Sequence, residues 1–90
     1  MTNDVSDTIT VHLTIPSRWE GDNVVGGQNF TDDEGRTAAR LFLKDAAGER
    51  HVTVHEGDRV EFAGSGWQVS TVFDPTDGPR RRVATLTKVL

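Results

Sequence analysis

Alternation of apolar and polar residues marks the first element of the chain. In "TITVHLTI", residues 8–15, isoleucine, valine or leucine occupies every second position, and threonine or histidine stands between them. A period of two residues is typical of a β-strand with one buried face. Pro16 follows, and because proline cannot donate a hydrogen bond to a neighbouring strand, the strand is predicted to end there.

The middle of the chain predicts a β-hairpin. Residues 37–44, "TAARLFLK", and residues 50–55, "RHVTVH", both alternate apolar with polar positions, and "DAAGER" supplies a turn near Gly48. Alanine, arginine, leucine and lysine also favour helices, but the first run is shorter than three helical turns and lacks a 3.6-residue period. Two strands joined by a turn are therefore expected.

The next stretch predicts two turns and two further strands. "EGD", residues 56–58, is typical of a tight turn in which Gly57 takes a positive φ. A short strand, "RVEF", follows, and "AGSG" predicts the second turn. The strand after it places four side chains on one face: Trp67, Val69, Thr71 and Phe73. A tryptophan can bury on the order of 200 Å², so Trp67 is predicted to support the core rather than to bind a ligand.

Residues 16–36 leave two interpretations open. The run is rich in glycine and acidic residues, and its apolar anchors are Val24, Val25 and Phe30. A structureless loop of about twenty residues would be unusual in a compact domain. The segment is therefore either a functional loop or contains a short strand near residues 23–25.

The end of the chain predicts a loop and a last strand. "DPTDGP", residues 74–79, combines two prolines with an Asp-Gly pair, which favours turns. "RRRVATLTKVL", residues 80–90, alternates again but carries apolar side chains on both faces. A strand of that kind sits in the centre of a sheet or closes a barrel.

These elements predict a single all-β domain over residues 1–90, with residues 1–7 as a flexible polar tail. Five to six strands joined by short turns predict a small antiparallel barrel, SH3-like or OB-like, or a sandwich. The core is expected to consist mainly of Ile9, Val11, Leu13, Leu41, Leu43, Val52, Val54, Val60, Phe62, Trp67, Val69, Phe73, Val83 and Leu86.

Composition limits what holds such a domain together and where it resides. The chain has 90 residues and no cysteine, so disulfides and thiolate zinc sites are excluded and one modest core must stabilise it. Neither a signal peptide nor an apolar run near the ~18 residues of a membrane span is found, which predicts a cytoplasmic protein without membrane contact.

Residues that could support catalysis or metal binding form no recognisable motif. His51 and His55 would share a strand face but lie roughly 13 Å apart at about 3.3 Å per residue, too far for one metal ion. The acidic "TDDEG", residues 31–35, lacks the ligand spacing of an EF-hand loop, and Ser65 stands in a "GSG" turn rather than in a nucleophile elbow. We therefore expect no enzymatic activity, no metal site and no cofactor.

Two features mark candidate binding residues. "GPRRRV" places Arg80, Arg81 and Arg82 in succession after a proline turn, and Trp19 stands in the 16–36 segment. Tryptophan and arginine are over-represented at binding hot spots. Arginines beside aromatic rings could hold phosphates and stack bases. However, the chain is acidic, with a net charge of −4 and a pI of about 5.2, which argues against nucleic acid. The arginine cluster is instead expected to contact an acidic protein surface, either the chain's own amino-terminal half or a partner.

One stretch also resembles a known group of domains. "VTVHEGDRVEFAGSGWQVSTV", residues 52–72, joins a strand, a Gly-Asp turn, a short strand, a glycine turn and a tryptophan-led strand. It resembles the core hairpin of small β domains of unassigned function found in actinobacteria. The resemblance covers roughly the carboxy-terminal half of the chain; it implies a small β fold and transfers no functional residue.

The leading functional hypothesis is a non-catalytic protein-interaction or accessory module whose partner is another protein. Loops and edge strands on a rigid scaffold commonly carry recognition, and residues 16–36 and 74–82 are the expected contact regions. The alternative is a β-barrel that binds a small ligand or a single-stranded nucleic acid. The identity of the partner and the oligomeric state stay open at the level of sequence.

Overall fold

Eight β-strands make up the regular structure of the described residues, 7–13, 15–75 and 82–89, in the computed structural model. They are β1 (Thr8–His12), β2 (Ser17–Trp19), β3 (Asn23–Thr31), β4 (Thr37–Asp45), β5 (Gly48–Val54), β6 (Arg59–Phe62), β7 (Ser65–Val72) and β8 (Arg82–Lys88). The predicted all-β class is confirmed. Within those ranges no helix is long and apolar enough to cross a membrane. Five to six strands were predicted; the additional strands are β2 and β3, which both lie inside residues 16–36.

The eight described strands form two four-stranded antiparallel sheets. Sheet A has the order β1-β8-β7-β6, and sheet B has the order β2-β3-β4-β5. Strands that follow each other in the chain pair from β2 to β5 in sheet B and from β6 to β8 in sheet A. The first strand, β1, pairs with the last, β8. β8 therefore lies between β1 and β7, which is the central position indicated by its apolar residues on both faces. The described strands do not close into a barrel, because each sheet keeps its own two edge strands.

β2 and β3 occupy most of the 16–36 segment, which decides the open choice in favour of strands. β3 pairs with β4 over eight residue pairs. Sequence alone concealed this strand because its centre is the pair Gly26 and Gly27, which adds no side chain to an alternation pattern. At Gly27 a Cβ atom would lie 2.7 Å from the Arg40 carbonyl oxygen and 3.1 Å from Leu41 Cδ2, so this close packing requires glycine.

A β-bulge in β7 changes which side chains enter the core. Trp67 and Val69 are buried as predicted, but the pairing of β7 with β8 shifts after Val69 and leaves Ser70 as the extra residue. An extra residue reverses the alternation beyond it, so Val72 is buried whereas Phe73 is half-buried. The prediction that Phe73 belongs to the core is therefore wrong.

The buried faces of the two sheets share a hydrophobic core. Leu13 and Val52, which were predicted as core residues, are partly buried and pack against it. The buried members are Ile9, Val11, Val25, Ala39, Leu41, Leu43, Val54, Val60, Phe62, Trp67, Val69, Val72, Val83, Ala84 and Leu86.

Trp67 is fully enclosed in this core, with 0% of its surface exposed. Its Nε1 donates a hydrogen bond of 2.9 Å to the Phe62 carbonyl oxygen, so the buried polar atom has a partner. Its ring meets Trp19 in a T-shaped contact with centroids 5.2 Å apart. Because Trp67 belongs to sheet A and Trp19 to sheet B, this contact joins the sheets. The predicted supporting role of Trp67 is confirmed.

Trp67→Ala is expected to lower the free energy of unfolding by about 3–5 kcal/mol, because it leaves a large cavity in the core. Urea unfolding followed by circular dichroism measures the change. Gln68→Ala, at an exposed position of the same strand, is the control and should change stability by no more than about 0.5 kcal/mol. A loss below about 1 kcal/mol for Trp67→Ala would contradict the supporting role.

Gly27→Ala and Gly26→Ala are expected to differ although they are neighbours. The added Cβ at Gly27 meets the β4 backbone, and overpacking of this kind costs about 1–3 kcal/mol. At Gly26 the nearest atom is Pro16 Cα at 3.8 Å, an ordinary contact, so stability should be unchanged or slightly higher. Thermal unfolding of the two variants compares them directly, and equal losses would show that Gly27 is not constrained by close packing.

Candidate binding surfaces

Trp19, the first predicted binding residue, lies in a strand and packs over the core. It ends β2, an edge strand of sheet B, rather than standing in a loop. The ring is half-buried, and its T-shaped contact with Trp67 covers the larger buried ring. Trp19 therefore has a structural role of its own, independent of any partner.

Arg82 is the described member of the predicted arginine cluster; Arg80 and Arg81 lie outside the described residues. Arg82 begins β8 and is exposed. Its guanidinium carbon lies 4.4 Å from the centroid of the Phe73 ring, which is a cation–π contact. Its carbonyl oxygen accepts a hydrogen bond of 3.2 Å from Asn29 Nδ2. The half-buried Phe73 thus serves as a platform for Arg82.

The structure does not bring Trp19 and Arg82 together. Trp19 pairs with Asn23 at the start of β3, whereas Arg82 contacts Asn29, six residues further along that strand. At about 3.3 Å per residue, these two positions on β3 are roughly 20 Å apart. The candidate residues therefore do not form one site.

Asp45, which sequence analysis missed, accepts four hydrogen bonds. Its Oδ1 accepts from Arg50 Nη1 at 3.1 Å and from the Ala47 backbone N–H at 2.9 Å, and its Oδ2 accepts from Arg50 Nη2 at 3.2 Å and from the Ala63 N–H at 2.8 Å. The hydrogen bonds from Arg50 and from the two backbone N–H groups lower the pKa of Asp45 from 3.8 to about 2. The available signal in the sequence was an aspartate and an arginine flanking a short hairpin turn.

Asp45 links the β4–β5 hairpin of sheet B to the β6–β7 turn of sheet A. In that turn Ala63 and Gly64 both have positive φ, 55° and 78°, as a two-residue type I′ hairpin requires. Alanine rarely adopts this conformation, and the hydrogen bond from its N–H to Asp45 helps to hold it. Arg50 Nη2 also donates to the Glu61 carbonyl oxygen on β6. Side chains thus join the two sheets at this corner.

A second carboxylate, Asp32, joins the β3–β4 turn to the β5–β6 connection. Its Oδ2 lies 2.8 Å from His55 Nε2, and its Oδ1 accepts hydrogen bonds from the N–H groups of Glu34 and Arg36. The hydrogen bonds from His55 and from the Arg36 and Glu34 backbone lower the pKa of Asp32. On its other side His55 Nδ1 lies 4.0 Å from Asp58, so the described neighbours of this imidazole are carboxylates rather than a nucleophilic hydroxyl.

The three histidines occupy separate environments. His12 ends β1, His55 is held by Asp32, and His51 on β5 lies against Phe42 with ring centroids 5.3 Å apart. Among the residues the structure describes, no group of three histidine, aspartate or glutamate side chains is placed to hold a metal ion.

An open cleft of about 390 Å³ lies between β5 and β6, the edge strands of the two sheets. We name it the β5/β6 cleft. Its floor is apolar and includes Leu43, Val52 and Val60, and the residues at its rim are Arg50, Asp58, Arg59 and Glu61. In the described sheets β5 pairs with β4 alone, so its other edge faces this cleft.

The outer face of sheet B, which points away from the core, is a second surface. Residues directly opposite each other in a sheet project to the same face, and the register therefore places on it Arg18, Val24, Gln28, Phe30, Arg40, Phe42, Lys44, Glu49, His51 and Thr53. A smaller cleft of about 230 Å³ opens beside Phe42 and is lined by His12, Ile15, Pro16, Gly26 and Gly27. Of the large hydrophobic side chains described, Ile15 is the exposed one, at 67%.

No protein-family model, no curated protein and no solved structure matches this chain. The two surfaces and the carboxylate links between the sheets are therefore the observations from which its function can be inferred.

Asp45→Asn is expected to destabilise the fold in a pH-dependent way. Because the pKa of Asp45 in the folded chain is about 2 and its ordinary value is 3.8, its charged form stabilises the fold above the ordinary value. That contribution is lost as the pH falls through the folded value. The difference in urea midpoint between the wild type and Asp45→Asn should thus be constant near neutral pH and shrink in acid.

Glu56→Gln is the control for this titration, since it removes a charge from an exposed turn residue. It should leave the urea midpoint almost unchanged at every pH. A difference for Asp45→Asn that stays the same down to about pH 2 would show that the carboxylate charge is not what joins the sheets.

Proposed function

We propose that this chain is a non-catalytic protein-interaction module whose partner contributes an extended segment that pairs with β5. The observation that carries the proposal is the β5/β6 cleft, where two sheet edges face each other without a described strand between them. An exposed edge offers backbone N–H and C=O groups with which a strand of another chain can pair.

β5 has the length and regularity that strand addition needs. It spans seven residues and pairs with β4 without a bulge, and strands of this length are typical of pairing elements in globular proteins. Alternate side chains of a bound segment would point to the cleft floor, which Leu43, Val52 and Val60 line. Backbone pairing would supply affinity, and these apolar residues would select the side chains.

The rim of the cleft favours a segment of low net charge. Arg59 and Glu61 are both exposed on β6 and have opposite signs. A strongly acidic or strongly basic segment would meet one repulsive residue for each attractive one. We therefore propose a partner segment with small or aliphatic residues at alternate positions. Trp19 and Arg82 lie on other parts of the molecule. The proposed main contact is therefore the edge strand β5 and not the arginine loop.

A β-sandwich is the finer description of the fold that suits this proposal. The two sheets contribute their buried faces to one core and are joined at corners by Asp45 with Arg50 and by Asp32 with His55. In such an arrangement the side between β5 and β6 is the opening that an added strand would fill.

The state of the carboxylates supports a non-catalytic role. Proton transfer at neutral pH is most efficient when the pKa of the catalytic group lies near the working pH. The pKa values of Asp45 and Asp32 are instead lowered, and the side-chain and backbone donors around each carboxylate hold them in structural contacts.

Site-specific photo-crosslinking in an extract of the source cells tests the proposal. A photoreactive residue replaces Glu61 at the cleft rim; in the control it replaces Thr8, which is also exposed but lies on the opposite edge strand of sheet A. The expected result is a defined protein product from position 61 that position 8 does not give. Mass spectrometry of the product should map the crosslink to an extended apolar segment of the partner.

Val52→Lys provides the second arm of this test. A charge that points into the cleft opposes strand pairing, so the variant should lose the product from position 61 while it stays folded by circular dichroism. Identical products from positions 61 and 8, or a product that survives Val52→Lys, would show that β5 is not the contact.

A further inference from the structure

Three cations on the outer face of sheet B have no described anionic partner. Arg18, Arg40 and Lys44 are exposed, and within the described residues none of them lies at salt-bridge distance from a carboxylate. Glu49 is the one acid among the outward-facing residues of this sheet, opposite Lys44 in the register. The face thus has an excess of positive charge.

The negative charge of the chain is concentrated elsewhere, in the connections between strands. The exposed acids described there are Glu20, Asp22, Asp33, Glu34, Glu56, Asp58 and Asp74. The net charge of −4 is therefore an average over acidic turns and a basic sheet face. An acidic chain argues against nucleic acid only if the charge is spread evenly, and here it is not.

Two phenylalanines on this face stand opposite small residues. Phe42 faces Gly26 across the β3–β4 pair, and Phe30 faces Ala38. The neighbouring strand therefore provides no large side chain to cover the side of either ring. His51 lies on the other side of Phe42, with ring centroids 5.3 Å apart. The result is an aromatic surface on the outer sheet face, made of two half-buried phenylalanine rings and an exposed histidine.

Phe42 stands between two of the cations on the same strand. Arg40 precedes it by two residues and Lys44 follows it by two, so all three side chains project to the outer face. At about 3.3 Å per residue, each cation lies roughly 7 Å along the strand from Phe42. The cleft of about 230 Å³ beside the ring is smaller than the ~300–1,000 Å³ of typical small-molecule sites. It can take one flat group of a longer ligand.

We propose that the outer face of sheet B binds single-stranded nucleic acid. Phe42 stacks on a base that enters the cleft beside Gly26, Arg40 and Lys44 contact the phosphates on either side of that base, and Arg18 contacts a further phosphate at the edge of the sheet. Positive charge along a groove combined with aromatic rings is what single strands require from a protein surface.

The shape of the face separates a single strand from the other anionic macromolecules. Duplex DNA is read by helices or ribbons that enter its grooves, whereas this face presents the outward side chains of a four-stranded sheet. An acidic peptide would neutralise the cations but would leave Phe42 and its cleft without a flat partner. Unpaired bases use both the charge and the rings.

Fluorescence anisotropy with a labelled eight-nucleotide oligothymidine tests the proposal; single-strand sites in small β domains span about 4–16 nucleotides. Saturable binding is expected at 50 mM salt. Three phosphate contacts predict a slope of about −2 for log affinity against log salt, so affinity should fall roughly 20-fold between 50 and 200 mM.

Two variants assign the binding to this face. Phe42→Leu keeps an apolar side chain but removes the ring, and loss of one stacked base should weaken binding about 5- to 150-fold. Arg40→Gln with Lys44→Gln should make the salt slope shallower by about 1.4. The matched control, Arg36→Gln with Lys88→Gln, removes the same charge from positions outside both the outer face of sheet B and the β5/β6 cleft, and should leave the slope unchanged.

Three outcomes would overturn the proposal. No saturable binding at 50 mM salt would exclude the site, and equal affinity for an eight-base-pair duplex would exclude stacking. Displacement of the oligonucleotide by polyglutamate, together with no effect of Phe42→Leu, would indicate an acidic protein partner instead. None of these measurements involves the β5/β6 cleft, so their failure is distinguishable from failure of the crosslinking experiment.

Discussion

The burial of Trp67 is the interaction on which the rest of the structure depends. A chain of 90 residues without cysteine has no covalent crosslink to stabilise two small sheets, so one core must hold them. Trp67 fills the centre of that core, and its indole N–H is satisfied within its own hairpin by Phe62. Trp19 then closes the core from the opposite sheet. The two tryptophans of the chain therefore act together as one packing unit.

Where backbone pairing ends, side chains connect the sheets. Asp45 with Arg50 bridges one end of the β5/β6 cleft, and Asp32 with His55 and Asp58 occupies the other end. On the opposite side of the molecule Asn29 donates to carbonyl oxygens of Phe73 and Arg82. A cleft whose two ends are fixed loses little freedom when a segment binds, and such preorganisation favours affinity. The same contacts that stabilise the fold thus shape its open side.

The sequence predicted the parts of the fold that depend on local alternation. The β4–β5 hairpin was placed correctly, and Trp67 was recognised as a core residue, because a period of two is visible without knowledge of the neighbouring strands. β1 was also found, but it ends at His12 rather than before Pro16, and Ile15, which the alternation placed on the buried face, is exposed. The full extent of β3 was not predicted, because its two central residues are glycines, which add no side chain to an alternation pattern; at Gly27 the close approach of β4 requires glycine. Phe73 was misplaced because a bulge depends on the pairing of two distant strands, which alternation within one strand does not reveal.

The candidate sites were less predictable than the fold, for a physical reason. Sequence analysis could find Trp19 and the arginine cluster because each is conspicuous in the linear chain. The β5/β6 cleft combines two strands of different sheets, and Asp45 gains its importance from a turn eighteen residues away. Contacts of that kind arise only when the chain has folded, and no pattern within a short window records them.

The net charge is a property of the whole chain, whereas the charge of a sheet face depends on which side chains the fold places there. Acidic residues suit the connections between strands, where water solvates them and aspartate stabilises turns. β4, by contrast, alternates core residues with Arg40, Phe42 and Lys44, so its outward row is basic and aromatic. Because successive side chains of a strand point to opposite faces, the basic residues of β4 collect on one face. The net charge of the chain does not show this arrangement. In a β protein whose acids lie in turns, the net charge of the chain therefore does not give the charge of each sheet face.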